Sequence, residues 1–161
     1  MKKFFCAVLA LSLFAGIFAG CGNAGGETKP APDMEFKLGE TGVVVTLPGD
    51  LGFGHMESSL NDYFGVGGNG EWCIIVNQDE KSDYTLEEYA KLTAEANDSN
   101  RVQKDADGNY YFIYKNDEYH FYTAIRETQD SFYRVAFYCF KDVWGNYSER
   151  FAQWATTIEI K

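Results

Sequence analysis

The stretch between residues 101 and 140 constrains the fold of this chain more than any other. Its β-branched and aromatic residues fall into runs that read RVQK (101–104), YYFIYK (110–115), YHFYTAIRE (119–127) and FYRVAFYCF (132–140). Short segments rich in Asp, Asn or Gly separate the runs. Strand-forming runs joined by such turns are typical of an antiparallel meander. We therefore predict three or four antiparallel strands here.

The alternation of side chains in this meander indicates that both faces of the sheet are covered. In the 119–127 run, one face would carry Tyr119, Phe121 and Ile125 and the other His120, Tyr122 and Ala124. Neither set is clearly polar, and a sheet with two apolar faces needs a covering layer on each. The pattern predicts an antiparallel sheet flanked by helices, in an α/β/α sandwich.

Patterns outside the meander supply further strands and two helices. Strands are predicted over residues 35–38, 43–47, 62–66 and 71–77, the last two joined by the turn GGNG. The segment TLEEYAKLTAEAND begins with a capping box of Thr85 and Glu88 and predicts a helix to about Asn97. Asn146 and Glu149 predict a second capping box at the start of a closing helix. The order strands, helix, strands, helix is that of an α+β fold.

The first residues have the features of an export signal. Lys2 and Lys3 precede an uncharged apolar run over residues 4–20. The run ends in Phe18-Ala19-Gly20-Cys21, which resembles the lipobox of bacterial lipoproteins, with Phe where Leu is commonest. The resemblance implies a lipoprotein signal peptide over residues 1–20 and lipidation of Cys21, which would hold the protein on a membrane through N-terminal acyl chains.

Two other interpretations of this segment stay open. A plain cleavage after a small residue such as Ala24 would release a secreted protein. The apolar run of residues 4–20 also matches the short end of the roughly 17 to 25 residues that span a bilayer, so it would serve as an uncleaved anchor.

A flexible tether and one globular domain are predicted after the signal. Residues 22–33, GNAGGETKPAPD, lack apolar periodicity and contain three glycines and two prolines. With Cys21 they form a lipidated tether over residues 21–33 that reaches about 40 Å when fully extended. The remaining residues, 34–161, have the length of a single domain.

The charge of the chain argues against several kinds of partner. Its formal net charge is −10, and its acidic residues are scattered along the sequence. Nucleic acids and anionic lipid head groups attract basic surfaces. We expect no nucleic-acid partner.

The sequence lacks the residue patterns of common catalytic and metal sites. It has two histidines, His55 and His120, which excludes a site of several histidines. The loop GVGGNGEW at 65–72 lacks the Lys-Ser/Thr of a phosphate loop and predicts a hairpin turn. DADGN at 105–109 resembles a calcium loop only in part and also predicts a turn. We expect no catalysis, no metal and no cofactor.

Cys73 and Cys139 have two interpretations that the sequence does not separate. In an exported protein they would form a disulfide, or they would remain two buried thiols. A catalytic pair of one of these cysteines with His120 is a weaker alternative, because nucleophilic cysteines need an exposed, electropositive setting.

Aromatic residues make up 17% of the chain and also bear on binding. Most of the tyrosines in the meander are expected in the core or half-buried on the sheet. Some aromatic side chains near turns would form an exposed binding patch for a protein, peptide or sugar, and the candidates are Trp72, His120, Tyr122 and Trp144.

The order of elements resembles one known fold family. The chain is similar to the PsbP-like family in the order of five segments, which are Leu47-Pro48 after an early strand, TLEEYAKL, DGNYYFIY, FYRVAFYCF and a final FAQWATTI. The family includes bacterial envelope lipoproteins of the DcrB type. The resemblance implies a small non-enzymatic domain that docks on another protein, often at a membrane surface. It implies no particular functional residue.

Together these features predict a lipid-anchored accessory or adaptor domain on the extracytoplasmic face of a membrane in the bacterial cell envelope. Its partner would be an envelope protein. The alternative is an extracytoplasmic binding protein for a small molecule or sugar.

Overall fold

The computed structural model describes residues 32–161. The predicted signal peptide, Cys21 and the tether up to residue 31 lie outside the described residues. The elements within them, in chain order, are β1 (Asp33–Lys37), β2 (Val43–Pro48), β3 (Phe53–Met56), β4 (Tyr63–Gly67), β5 (Trp72–Glu80), α1 (Leu86–Ala96), β6 (Val102–Lys104), β7 (Tyr110–Lys115), β8 (Tyr119–Glu127), β9 (Ser131–Phe140), α2 (Trp144–Thr156) and β10 (Glu159–Ile160). The predicted α+β class and the antiparallel meander of β6 to β9 are confirmed.

The strands divide between two antiparallel sheets, whereas the sequence predicted one. The large sheet has the order β3-β4-β5-β9-β8-β7-β6, and the small sheet has the order β1-β2-β10. Local patterns do not show which strands share a sheet, because that depends on contacts between distant parts of the chain. Two strands, β3 and β10, were not predicted, since β3 reads FGHM and is largely exposed and β10 has only two residues.

The two faces of the large sheet carry separate cores. On one face, here called the α2 face, Val135 and Phe137 of β9 pack with Phe151 and Trp154 of α2 and with Val45 of the small sheet. The α2 face is therefore covered by a helix together with a sheet, which differs from the helical layer of the predicted α/β/α sandwich.

The opposite face, here called the α1 face, has a smaller core. Ala90 and Ala94 of α1 pack there on Phe112 of β7 and Ile125 of β8. Helix α1 packs mainly on β6, β7 and β8. A helix is about 10 Å wide, whereas seven strands extend over about 29 Å. The single helix therefore leaves much of this face without a helical layer.

The two helices begin differently. The predicted capping box of α1 is confirmed, since the Thr85 hydroxyl accepts from the Glu88 N–H at 3.3 Å and the Glu88 carboxylate accepts from the Thr85 N–H at 2.9 Å. The second predicted capping box is wrong. A 3-10 turn over Lys141–Val143 leads directly into α2, so Asn146 lies inside the helix and no side chain caps it.

Gly67 has no side chain, which allows the indole of Trp72 to pack against β4. A Cβ added at Gly67 would overlap the indole nitrogen. The indole is 1% exposed and its ring centroid lies 4.9 Å from that of Trp154. We expect Gly67→Ala to lower the free energy of unfolding by about 1–3 kcal/mol through overpacking. Urea denaturation followed by tryptophan fluorescence measures this. Gly54→Ala is the control, since a Cβ on Gly54 meets nothing within 4 Å; equal losses in the two variants would contradict this account.

Candidate functional site

Five aromatic side chains form a continuous row on the α1 face, beyond the end of α1. Their rings contact one another across three strands, at centroid distances of 4.4 Å for Tyr114 and Phe121, 5.0 Å for Phe121 and Tyr138, 5.4 Å for Tyr119 and Tyr138, and 4.9 Å for Tyr119 and Phe140. The register of β7, β8 and β9 produces this row, because directly paired residues of antiparallel strands share a face. We call these five residues the aromatic strip.

The aromatic strip is partly exposed and continues into other apolar side chains. Phe140 is 46% exposed, and the other four members are half-buried. The register extends the same face over β5, β4 and β3, where it carries Cys73, Ile75, Phe64, Val66 and Met56. Met56 is 50% exposed. A partly exposed apolar surface that runs over six strands is the kind of feature that marks an interaction site.

A polar cluster separates the aromatic strip from α1. Tyr89 of α1 donates a hydrogen bond to the Asp79 carboxylate, and the Arg134 Nε lies 3.1 Å from the same carboxylate. Burial raises the pKa of Tyr114 to about 12, against a smaller lowering effect of Arg134. The Tyr114 phenol therefore stays protonated at neutral pH, and the strip has no charge of its own next to this cluster.

The predicted patch of Trp72, His120, Tyr122 and Trp144 does not form one exposed surface. Trp72 is 1% exposed and Tyr122 is 4% exposed, because the register places both side chains on the α2 face, under the helix and the small sheet. His120 and Trp144 do come together. Their rings meet edge to face with centroids 5.0 Å apart, and both are half-buried.

A disulfide between Cys73 and Cys139 is not formed, and both thiols are free. In the pairing of β5 with β9, Cys73 lies opposite Tyr138 and Cys139 lies opposite Trp72. Paired residues share a face and consecutive residues alternate, so the two thiols point to opposite faces of the sheet. Of the two interpretations left open by the sequence, the disulfide is wrong.

The reactivities of the two thiols give a test. Burial raises the pKa of Cys139 to about 11, with smaller contributions from Asp142, Cys73 and Glu71. Burial also raises the pKa of Cys73, opposed by a hydrogen bond with Tyr138. Since the thiolate is the reactive form, we expect iodoacetamide to label Cys73 increasingly as the pH rises from 7 to 9, with Cys139 unlabelled until the chain is unfolded. Peptide mapping by mass spectrometry measures this, and a Cys73–Cys139 cross-linked peptide in a non-reduced digest would contradict it.

His120 and Cys139 are direct cross-strand partners, which brings the predicted Cys–His pair onto one face. The Cys139 side chain is 1% exposed and its pKa is raised, whereas a nucleophilic cysteine needs a lowered pKa. The pKa of His120 is lowered by burial and, less strongly, by Lys115 and Lys141. Neither change produces a thiolate paired with an imidazolium.

The DADGN segment forms the predicted turn. The Asp105 carboxylate accepts from the backbone N–H groups of Asp107 and Asn109, at 3.0 and 2.8 Å, and lies 3.6 Å from the Arg126 guanidinium. The predicted hairpin between β4 and β5 is also confirmed. Between residues 32 and 161, no three His, Cys, Asp or Glu side chains are grouped so that they could hold a metal ion. In the same range neither helix has the length and apolar content to cross a membrane.

Comparisons with known proteins concern the fold. No protein-family model matches the chain, and no curated protein matches its sequence. The solution structure of cyanobacterial PsbP (CyanoP) from Synechocystis sp. PCC 6803 is similar, with a TM-score of 0.55 and 14% identity over 86% of this chain and 98% of that one. A crystal structure of a protein from Bacteroides thetaiotaomicron VPI-5482 has a TM-score of 0.51 and 12% identity over 74% of this chain and 45% of that one. The chain therefore has a PsbP-like fold, as the order of its elements predicted.

Proposed function

We propose that this chain is a lipid-anchored accessory or adaptor domain that binds an envelope protein on the extracytoplasmic side of a bacterial membrane, without catalysing a reaction. The observation that carries the proposal is the partly exposed aromatic strip and its continuation over β5, β4 and β3. The strip is the surface on which the partner docks.

The chemistry of this surface favours a protein as its occupant. Tyr, Phe and Met are enriched at the centres of protein interfaces, and charged residues are depleted there. A standard interface buries about 800 Å² on each partner, which needs a broad surface such as a sheet face. Small ligands instead bind in concave sites. We therefore assign the partner as an envelope protein that presents an apolar surface to the strip.

The predicted anchor supports the location. Lipidation at Cys21 would hold the chain on the membrane, and the predicted tether, which ends before Asp33 of β1, would let the domain reach a partner about 40 Å from the lipid surface. The PsbP-like fold adds support, because the family resemblance implies small domains that dock on other proteins.

The test compares two charge-introducing variants of an affinity-tagged chain. Phe140→Glu places a carboxylate on the strip, and Gln153→Glu does so on the exposed side of α2. We expect one envelope protein to co-purify with the wild type and with Gln153→Glu, and its recovery to fall at least tenfold with Phe140→Glu. Quantitative mass spectrometry measures the recovery. Proteins recovered equally with both variants would show that the strip does not bind them, and the proposal would fail.

A further inference from the structure

A second site lies at the free edge of the large sheet, where β7 extends beyond β6. Strand β6 pairs with β7 only up to Phe112, so the last residues of β7 form a sheet edge. The segment after α1 runs beside this edge, and the Ser99 hydroxyl donates to the Ile113 carbonyl at 3.1 Å. Between that segment, the edge and the start of α2 lies a cavity of about 440 Å³. This volume is within the range of about 300–1,000 Å³ that is usual for small-ligand sites.

One wall of the cavity is apolar and aromatic. Trp144 and His120 line it, with their rings meeting edge to face, and Ile113 lines it with a side chain that is 41% exposed. A flat ring beside an aliphatic side chain suits the apolar face of a ligand ring.

Two cations, Arg101 and Lys115, lie in the rest of the lining, although the chain has a net charge of −10. Within residues 32–161, seven of the eleven Lys and Arg side chains contact a carboxylate or an aromatic ring. The four that do neither are Lys37, Arg101, Lys115 and Lys141. Arg101 and Lys115 line the cavity. Two of the four cations without such a partner in the described part of the chain thus line one cavity.

Asp98 is the carboxylate of the lining, and its position is energetically unfavourable in two ways. Its φ of 56° lies in the left-handed region, where glycine is the usual residue just after a helix. Its negative charge also lies at the C-terminal end of α1, where the helix dipole disfavours anions. It forms no ion pair with Arg101 or Lys115, so its oxygens are available to accept hydrogen bonds from hydroxyl groups.

We infer that this cavity binds a sugar ring that carries a carboxylate, either as a free monosaccharide or as a unit of a longer chain. Arg101 and Lys115 bind the carboxylate, Trp144 and Ile113 contact the apolar face of the ring, and Asp98 accepts hydrogen bonds from the ring hydroxyls. The site goes beyond the proposed docking function, because it lies at the sheet edge and uses a different set of residues from the aromatic strip, apart from Tyr114, which also lines the cavity.

The test is a calorimetric titration of the full-length chain in a polyoxyethylene detergent, which contributes neither charge nor sugar. The probes are glucuronate, glucose and acetate, with a galacturonate trimer as the chain-bound form. We expect saturable binding of glucuronate at least tenfold tighter than that of glucose or acetate. A trimer that binds more tightly than the monosaccharide would assign the site to a polysaccharide, and the reverse order would assign it to the free sugar.

Matched variants tie the binding to the cavity. Arg101 and Lys115 are exposed, so the double variant Arg101→Gln/Lys115→Gln is expected to fold normally and to bind glucuronate at least tenfold more weakly. Lys37→Gln removes another cation that lacks a carboxylate or ring partner, away from this cavity, and is expected to change the affinity less than twofold. No saturable binding of either carboxylated probe, equal binding of glucose or acetate, or an equal loss in Lys37→Gln would each overturn the inference.

Discussion

A Cys21→Ala variant is expected to lose lipid attachment completely. If Cys21 is the lipidated residue, the mature chain begins at Cys21 and carries acyl chains, each contributing about 0.8 kcal/mol per buried methylene to membrane binding. Alanine offers no thiol to acylate, and cleavage before residue 21 should be lost with it. Mass spectrometry of the N-terminal peptide measures both changes, because the acyl mass disappears and residues 1–20 remain on the chain.

Cys6→Ala is the matched control, since Cys6 lies inside the apolar run of residues 4–20. We expect this variant to keep the acylated N-terminus at Cys21. A wild-type chain that begins after Ala24 would instead support a secreted protein. A wild-type chain that begins at Met1 without acylation would support an uncleaved anchor.

The buried Arg126 gives the second large effect, on stability. Its side chain is 8% exposed and its Nη2 donates to the Ala155 carbonyl at the end of α2 at 2.6 Å. The same nitrogen lies 3.6 Å from the Asp105 carboxylate in the turn between β6 and β7. Arg126→Met removes the cationic partner of this largely buried carboxylate and one of the donors to the carbonyl, and we expect the free energy of unfolding to fall by about 3–5 kcal/mol. Chemical denaturation measures the loss.

Two further variants separate charge from packing. Arg150→Met removes an exposed guanidinium of α2 that lies over the Tyr147 ring, and is expected to cost less than about 1 kcal/mol. Adding Asp105→Asn to Arg126→Met removes the uncompensated charge and should restore part of the stability. If the free energy of unfolding of Arg126→Met lies within about 1 kcal/mol of the wild-type value, the guanidinium does not connect the turn to α2 as described.

Local sequence signals were sufficient for the hairpins, for α1 and for the two faces of the meander. The 119–127 run shows this, since Tyr122 and Ala124 lie in the core on the α2 face and Ile125 lies in the core on the α1 face. Period-two alternation and short turns determine these features within a few residues of chain. The division into two sheets depends on the pairing of β2 with β10, whose sequence separation exceeds 100 residues, and no local pattern reports it.

The candidate site was less predictable because it depends on register and coverage. Alternation places Phe121 and Tyr122 on opposite faces of the sheet. It does not show that a short α1 leaves the face of Phe121 partly open while α2 and the small sheet bury Tyr122. The orientation of Cys73 and Cys139 likewise depends on the β5–β9 register, which pairs Cys73 with Tyr138. A shift of one residue would have placed both thiols on the same face.

If the aromatic strip contacts an envelope protein, site-specific photo-cross-linking in intact native membranes will capture that protein. Benzoylphenylalanine replaces Phe140 on the strip or, as control, Gln153 on the exposed side of α2. We expect one reproducible cross-linked envelope protein from position 140 that is absent from position 153. No cross-linked protein from position 140, or the same products from both positions, would contradict the proposed contact.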